Sequence, residues 1–163
     1  MEKTFKVDIK VDEKQLSDLI SIAMSDTCGI AWWDYDEGQY QEAKKELEAE
    51  EQSDICLEDV LARLLFRGGK LRLLDPDSDW HWSGHEKDEV LWNWQIAAEG
   101  CEPEGGEWHE VGLEDIIRGV QQYDHAHCAN NCGGNIDNIC EYGDFTDADC
   151  VFQFAAYGEV IYG

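Results

Sequence analysis

Basic residues are nearly missing from the second half of this chain. From residue 73 to residue 163 there are two, Lys87 and Arg118, against twenty Asp and Glu. A surface so poor in cations has little with which to neutralise phosphates, so direct nucleic-acid binding is not expected. Residues 1 to 30 lack a basic, apolar, small-residue signal pattern, and no apolar run approaches the roughly 18 residues of a membrane span. The expectation is a cytoplasmic protein with no membrane role. Catalytic signatures are missing too: no Gly-x-Ser-x-Gly elbow, no phosphate loop, no dinucleotide fingerprint and no His-Glu-x-x-His. Carboxylate pairs are so common here that they are no evidence for hydrolysis. A nucleophile built from Cys28 or Cys128 with a histidine would sit among carboxylates that raise a thiol pKa. The chain is therefore expected not to be an enzyme, and no motif calls for a cofactor.

What is present is acid on an apolar frame. The chain has 37 Asp plus Glu against 12 Lys plus Arg, and 12 − 37 gives a formal charge of −25 over 163 residues. Self-repulsion of that size opposes compaction, which suggests a use for the field. Hydrophobic residues make up 43% and aromatics 11%, with seven Trp, too much apolar surface for a disordered acidic tail. The length suits one domain over 1–163, with a hairpin insertion at 75–108 and an irregular loop insertion at 123–143. Seven cysteines without a signal segment read as reduced thiols rather than a disulfide framework.

Thr4 to Val11 alternates as a strand, with Phe5, Val7, Ile9 and Val11 on one face. Asp12 with Gln15 predicts a capped helix with the stripe Leu16, Leu19, Ile20, Ala23. Ile30 to Tyr35 and Lys70 to Leu74 read as strands, Gln41 to Glu51 and Asp54 to Arg67 as helices, with Gly68-Gly69 as a stop. Because 80 + 94 and 82 + 92 both equal 174, one antiparallel register pairs Trp80, Trp82, Trp92 and Trp94, which predicts a hairpin with its bend near Lys87. Leu113 to Gln122 is a helix. His125 to Asn138 reads as an irregular loop. A last helix is expected with Thr146 as cap and Asp149 completing the box, ending at Gly158, with a final strand over Glu159 to Tyr162. The fold class expected is α+β, a small mostly antiparallel sheet covered by four or five helices.

The ending from Asp147 to Gly163, Asp-Ala-Asp-Cys-Val-Phe-Gln-Phe-Ala-Ala-Tyr-Gly-Glu-Val-Ile-Tyr-Gly, resembles that of a family of small acidic proteins encoded by phages and prophages. The Gly29 to Trp33 step, Gly68-Gly69-Lys70-Leu71 and Leu113 to Val120 fit the same outline. The resemblance covers about half the chain, with 75–108 and 125–141 as additions. It implies a phage context, a place in the cytoplasm of an infected bacterium, and an anti-restriction or anti-CRISPR role as the natural expectation.

Under that expectation the partner is a basic host protein, a nuclease or other nucleic-acid-binding effector, inhibited by a carboxylate surface that imitates nucleic acid in its channel. Duplex DNA carries a charge about every 1.7 Å of axis, and a carboxylate row can offer the same pattern. The contact residues expected are Asp34, Asp36, Glu37, Glu42, Glu46, Glu48, Glu50, Glu51 and Asp54, then Asp75, Asp77, Asp79, Glu86, Asp88, Glu89, Glu102, Glu104 and Glu107. Glu42/Glu46 and Glu46/Glu50 stand four apart on a helix, where like charges repel. The plainer reading is a solvated face serving solubility. The competing functional class is a metal-stapled or Trp-anchored interaction module without mimicry. Its metal candidates are His125, His127, Cys128, Cys132 and Cys140, donors of the right type at unfamiliar spacing. Asp75, Asp77, Asp79, His81, Ser83 and Glu86 follow calcium-loop spacing, but Trp80 stands where the turn wants glycine. Arg63, Arg67, Lys70 and Arg72 form a local basic exception suited to an anion.

Overall fold

The computed structural model describes residues 10–25, 29–50, 52–127 and 136–163. It is an α+β arrangement whose elements run α1 (Glu13–Met24), β1 (Trp32–Tyr35), α2 (Glu37–Ala49), α3 (Leu57–Phe66), β2 (Leu71–Leu74), β3 (Trp80–Trp82), α4 (Asn93–Glu99), β4 (Pro103–Gly105), β5 (Trp108–Val111), α5 (Leu113–His127), α6 (Ile136–Tyr142) and α7 (Phe145–Tyr157). Antiparallel strands in the order β1-β2-β5 form the main sheet, with Trp33 opposite Leu73 and Leu73 opposite His109. One face of that sheet meets the helices. Leu71 and Leu73 are fully buried there with Leu16, Leu19 and Ile20 of α1, Leu61 and Leu65 of α3, Ile116 and Val120 of α5, and Phe152 of α7.

Local sequence explains most of these elements. Asp12 caps α1, accepting from Gln15 N at 2.8 Å while the Gln15 side chain accepts from Asp12 N at 2.9 Å. Its expected stripe is buried throughout. The helix after β1 begins four residues earlier than propensity suggested, because Asp36 caps it through Gln39 N at 2.8 Å. The last helix is capped by Asp144 with Asp147 completing the box, not by Thr146 with Asp149, since Asp149 is turned into the core. Gly119 lets α5 lie directly on α7: a Cβ there would stand 2.4 Å from Val151 O.

Three expectations are overturned. The Trp hairpin does not form: β3 pairs with β4, placing Trp80 opposite Gly105 and Trp82 opposite Pro103, while Trp92 and Trp94 belong to the start of α4. Gly105 and Gly106 both have positive φ, and a Cβ on Gly106 would meet Leu74, Ser78 and Trp80. These glycines let the end of β4 lie close against β3, where Gly106 N donates to Asp79 O at 2.8 Å, and Trp82 rests edge-on against Trp32 at 5.3 Å. The segment 123–143 is not a loop insertion throughout, because α5 continues to His127 and α6 spans Ile136–Tyr142, with Ile136 and Ile139 fully buried. Glu159 to Tyr162 is not a strand. The expected strand from Thr4 lies almost wholly outside the described residues.

The C-terminal tail is instead pinned by one side chain. Gln153, fully buried, donates from Nε2 to Asp149 Oδ2 at 2.6 Å and to Tyr162 O at 2.7 Å, and its Oε1 accepts from the N–H groups of Ile161 (2.9 Å) and Tyr162 (2.8 Å). Asp149 also accepts from Gly29 N at 3.0 Å, and the Tyr157 hydroxyl donates to Gly29 O at 2.8 Å. Gly29 must be a glycine here, because a Cβ would sit 2.5 Å from Gln153. The segment from Asp149 to Tyr162 is thus a fastening: it ties Gly29, α7 and the tail together.

Candidate interaction surface

The acids of α2 are not a free carboxylate row. Glu42, Glu46 and Glu50 lie on the side of α2 that meets α3, where Arg67 and Arg63 are waiting. Arg67 pairs with Glu42 at 2.9 Å and Glu46 at 3.4 Å. Arg63, only 14% exposed, forks onto Glu50 with two bonds of 2.9 Å, reaches Glu13 of α1 at 2.8 Å and Glu46 at 3.5 Å. Glu50 and Glu13 raise the guanidinium pKa, and Arg63 in turn lowers that of Glu50. The four-residue spacing that reads as repulsion in sequence is a clamp in three dimensions.

Two further cations beside this face, Arg72 and Lys70, are engaged as well. Arg72 pairs with Asp34 at 2.8 Å and stacks over Trp108 at 4.7 Å, and Lys70 meets Glu110 at 3.2 Å. Arg72, Asp34, Lys70 and Glu110 line a recess of about 580 Å³ together with Asp36 and Glu37. The four basic residues suited to an anion are therefore all neutralised by carboxylates. Asp36 serves as a helix cap and Glu37 accepts from Gln41 at 2.7 Å. Glu48 and Asp54 are exposed without a side-chain partner, and Glu51 lies outside the described residues.

The lobe from Asp77 to Glu107 is different. It holds nine acids (Asp77, Asp79, Glu86, Asp88, Glu89, Glu99, Glu102, Glu104, Glu107) and one cation, Lys87, so 1 − 9 gives −8. Lys87 is bound by Asp79. Asp77, Glu86, Asp88 and Glu102 are exposed and their carboxylates have no described partner. Glu104 and Glu107 lie 3.7 Å and 3.5 Å from His81 and His109. Among these charges three apolar side chains face water: Val90 at 84% exposed, Trp92 at 67% and Trp94 at 69%. Large exposed apolar groups inside a charged rim mark contact surfaces more often than solvated ones. Trp80 and Trp82 are half-buried, so the four indoles split into a packing pair and an exposed pair. Asp75, at the root of the lobe, accepts from the Tyr162 hydroxyl at 2.7 Å.

The calcium-loop positions do not converge, because Asp75, Asp79 and His81 each hold a different partner. Of the expected metal ligands, His125 and His127 end α5, Cys128 and Cys132 lie outside the described residues, and Cys140 on α6 donates to Gln15 O at 3.5 Å. Burial pushes the Cys140 thiol up to about 11. Two donor groups not foreseen from sequence do gather: His85, Glu99 and Cys101, and Asp75, Glu107 and His109. The first follows from the Gly100 left-handed cap, which turns the chain so that Cys101 lies beside Glu99. No helix among the described residues is long and apolar enough to cross a membrane.

Comparison of the chain with protein-family models, with curated proteins and with solved structures returns no match.

Proposed function

We propose that this chain is a protein-binding inhibitor whose acidic lobe from Asp77 to Glu107 docks on a cationic surface of a partner. The observation that carries the reading is the pairing of unneutralised carboxylates with exposed indoles. Glu86, Asp88 and Glu102 supply a field that no internal cation cancels, and Val90, Trp92 and Trp94 supply the apolar anchor. A partner that fits has Lys and Arg around an apolar recess, as the nucleic-acid channels of nucleases do. The phage-like ending makes a host defence nuclease the preferred target, disarmed by imitation of nucleic acid in the infected cytoplasm. The α2 face contributes less, since its acids are occupied by Arg63 and Arg67.

A second reading, an apolar Trp-anchored interface without mimicry, is favoured by the same exposed indoles. Salt separates the two. Across a Debye length of about 10 Å at 0.1 M salt, exposed charges are screened, so mimicry predicts partner recovery that falls steeply from low to high ionic strength. The test is a pull-down from host lysate with wild type, with the Glu86→Lys/Asp88→Lys/Glu102→Lys variant and with Trp92→Ala/Trp94→Ala. Loss of a nucleic-acid-binding partner in the reversal variant and in salt supports mimicry. Salt-resistant capture that only the indole variant removes overturns it.

A further inference from the structure

The lobe that presents this surface has almost no interior. Across residues 75–110 a single residue is buried, and it is Cys101, 7% exposed. α4 buries nothing, and the strands beside it are three residues long. Small units without a core of their own are commonly held by a disulfide, a metal or a partner. Cys101 is a free thiol, so a disulfide is not the device.

Around that thiol the donors are already assembled. His85 Nδ1 lies 3.0 Å from Glu89 and its Nε2 lies 2.9 Å from Glu99 Oε2, while Cys101 Sγ is 3.9 Å from the same oxygen. The donor atoms of His85, Glu99 and Cys101 all fall within 4.8 Å of one another. In a tetrahedral zinc site, bonds of about 2.0 Å to nitrogen or oxygen and about 2.3 Å to sulfur place ligand atoms roughly 3.3 to 3.7 Å apart. Shifts of about an ångström or less convert the one arrangement into the other. Glu89 has its own place in it: a carboxylate on the non-ligating nitrogen orients a zinc-binding imidazole.

We propose that His85 Nε2, a Glu99 oxygen and Cys101 Sγ bind a divalent transition metal of the zinc class, with Glu89 as the positioning residue and the fourth position open to solvent. Binding releases the thiol proton as the metal–thiolate bond forms. The ion joins the turn after β3, the end of α4 and the chain entering β4. The mixed donor set favours zinc over calcium or magnesium, which take oxygen ligands. The site does not rest on the partner reading, and its test has no partner in it.

The experiment titrates Co²⁺ into the full chain, freed of metal by chelator and kept reduced, and records the thiolate-to-metal absorption band together with protease sensitivity of the lobe. One equivalent is expected to produce the band and protect the lobe. Cys101→Ser should abolish the band and His85→Asn should weaken binding by more than tenfold. Glu89→Gln should weaken it about 10- to 100-fold, as loss of an orienting carboxylate does. Far-UV circular dichroism checks that each variant is folded. His109→Asn, in the all-oxygen-and-imidazole group at Asp75 and Glu107, should leave the band unchanged. A band that survives Cys101→Ser, or one that replacing Cys128 and Cys132 removes, overturns the proposal; so does its absence from the wild type.

Discussion

Replacing Gln153 by Leu keeps the side-chain size while deleting all four of its hydrogen bonds. Each bond of this kind contributes about 1 kcal/mol net, so the gross loss is about 4 kcal/mol. Part of it is offset. Residues 159–163 are free to leave the surface, and each recovers backbone freedom of roughly 1 kcal/mol where it was fully ordered. Ile161 is 51% exposed, so its N–H finds water once released. A net cost of about 2 to 3 kcal/mol follows, or roughly 5 to 10 °C in Tm at this chain length. Urea unfolding followed by Trp fluorescence and far-UV dichroism measures it. Three of the four bonds end on the tail, so in a chain shortened after Gly158 the same substitution should cost only about 1 kcal/mol, the remainder being the bond to Asp149. A cost below about 0.5 kcal/mol in the full chain, or an equal cost in both backgrounds, would refute the fastening role.

Gly119→Ala drives a Cβ onto the Val151 carbonyl, a backbone atom that cannot rotate away, so α5 and α7 must part at a cost of about 1 to 3 kcal/mol, read by the same urea curve. Glu46→Lys with Glu50→Lys sets two ammonium groups against Arg63 and should lower the urea midpoint, less so in high salt, whereas Glu86→Lys with Asp88→Lys should not; equal effects would contradict the clamp. Alkaline titration tests the tail from another side. The Asp75 carboxylate, to which Tyr162 donates, pushes its phenol up to about 12, and burial raises Tyr157 and Tyr35. A raised folded-state pKa means stability that is complete below the ordinary tyrosine value near 10 and is lost as pH climbs towards 12. Phenolate absorbance should therefore show a late step that Tyr162→Phe diminishes, leaving the part due to Tyr157 and Tyr35; a late step of unchanged size in that variant would disprove the contact.

The α1 stripe and its Asp12 cap, the α3 stripe closed by Gly68-Gly69, and strands β1 and β2 were all legible, because each depends on neighbours within a turn or a strand. Errors fell where distant groups compete. The symmetrical spacing of Trp80, Trp82, Trp92 and Trp94 satisfies a hairpin register, yet Gly105 and Gly106 offer β3 a different partner, and no local rule ranks the two. β5, the third strand of the main sheet, hid between a glycine-rich turn and a helix. Likewise Thr146 matches a capping box as well as Asp144 does; what decides is that Asp149 is needed at Gly29 and Gln153.

Composition and apolar periodicity together determined that this is a folded, strongly anionic α+β chain, since neither depends on where residues meet in space. Only the tertiary structure decided which acids are free. Coulomb energy depends on distance, and the cations that neutralise α2 come from α3, 13 to 25 residues away in sequence but 2.9 Å away in space. The same holds for the lobe. His85 and Cys101 become neighbours through the turn at Gly100 and the return of β4, a pairing that one-dimensional spacing does not contain.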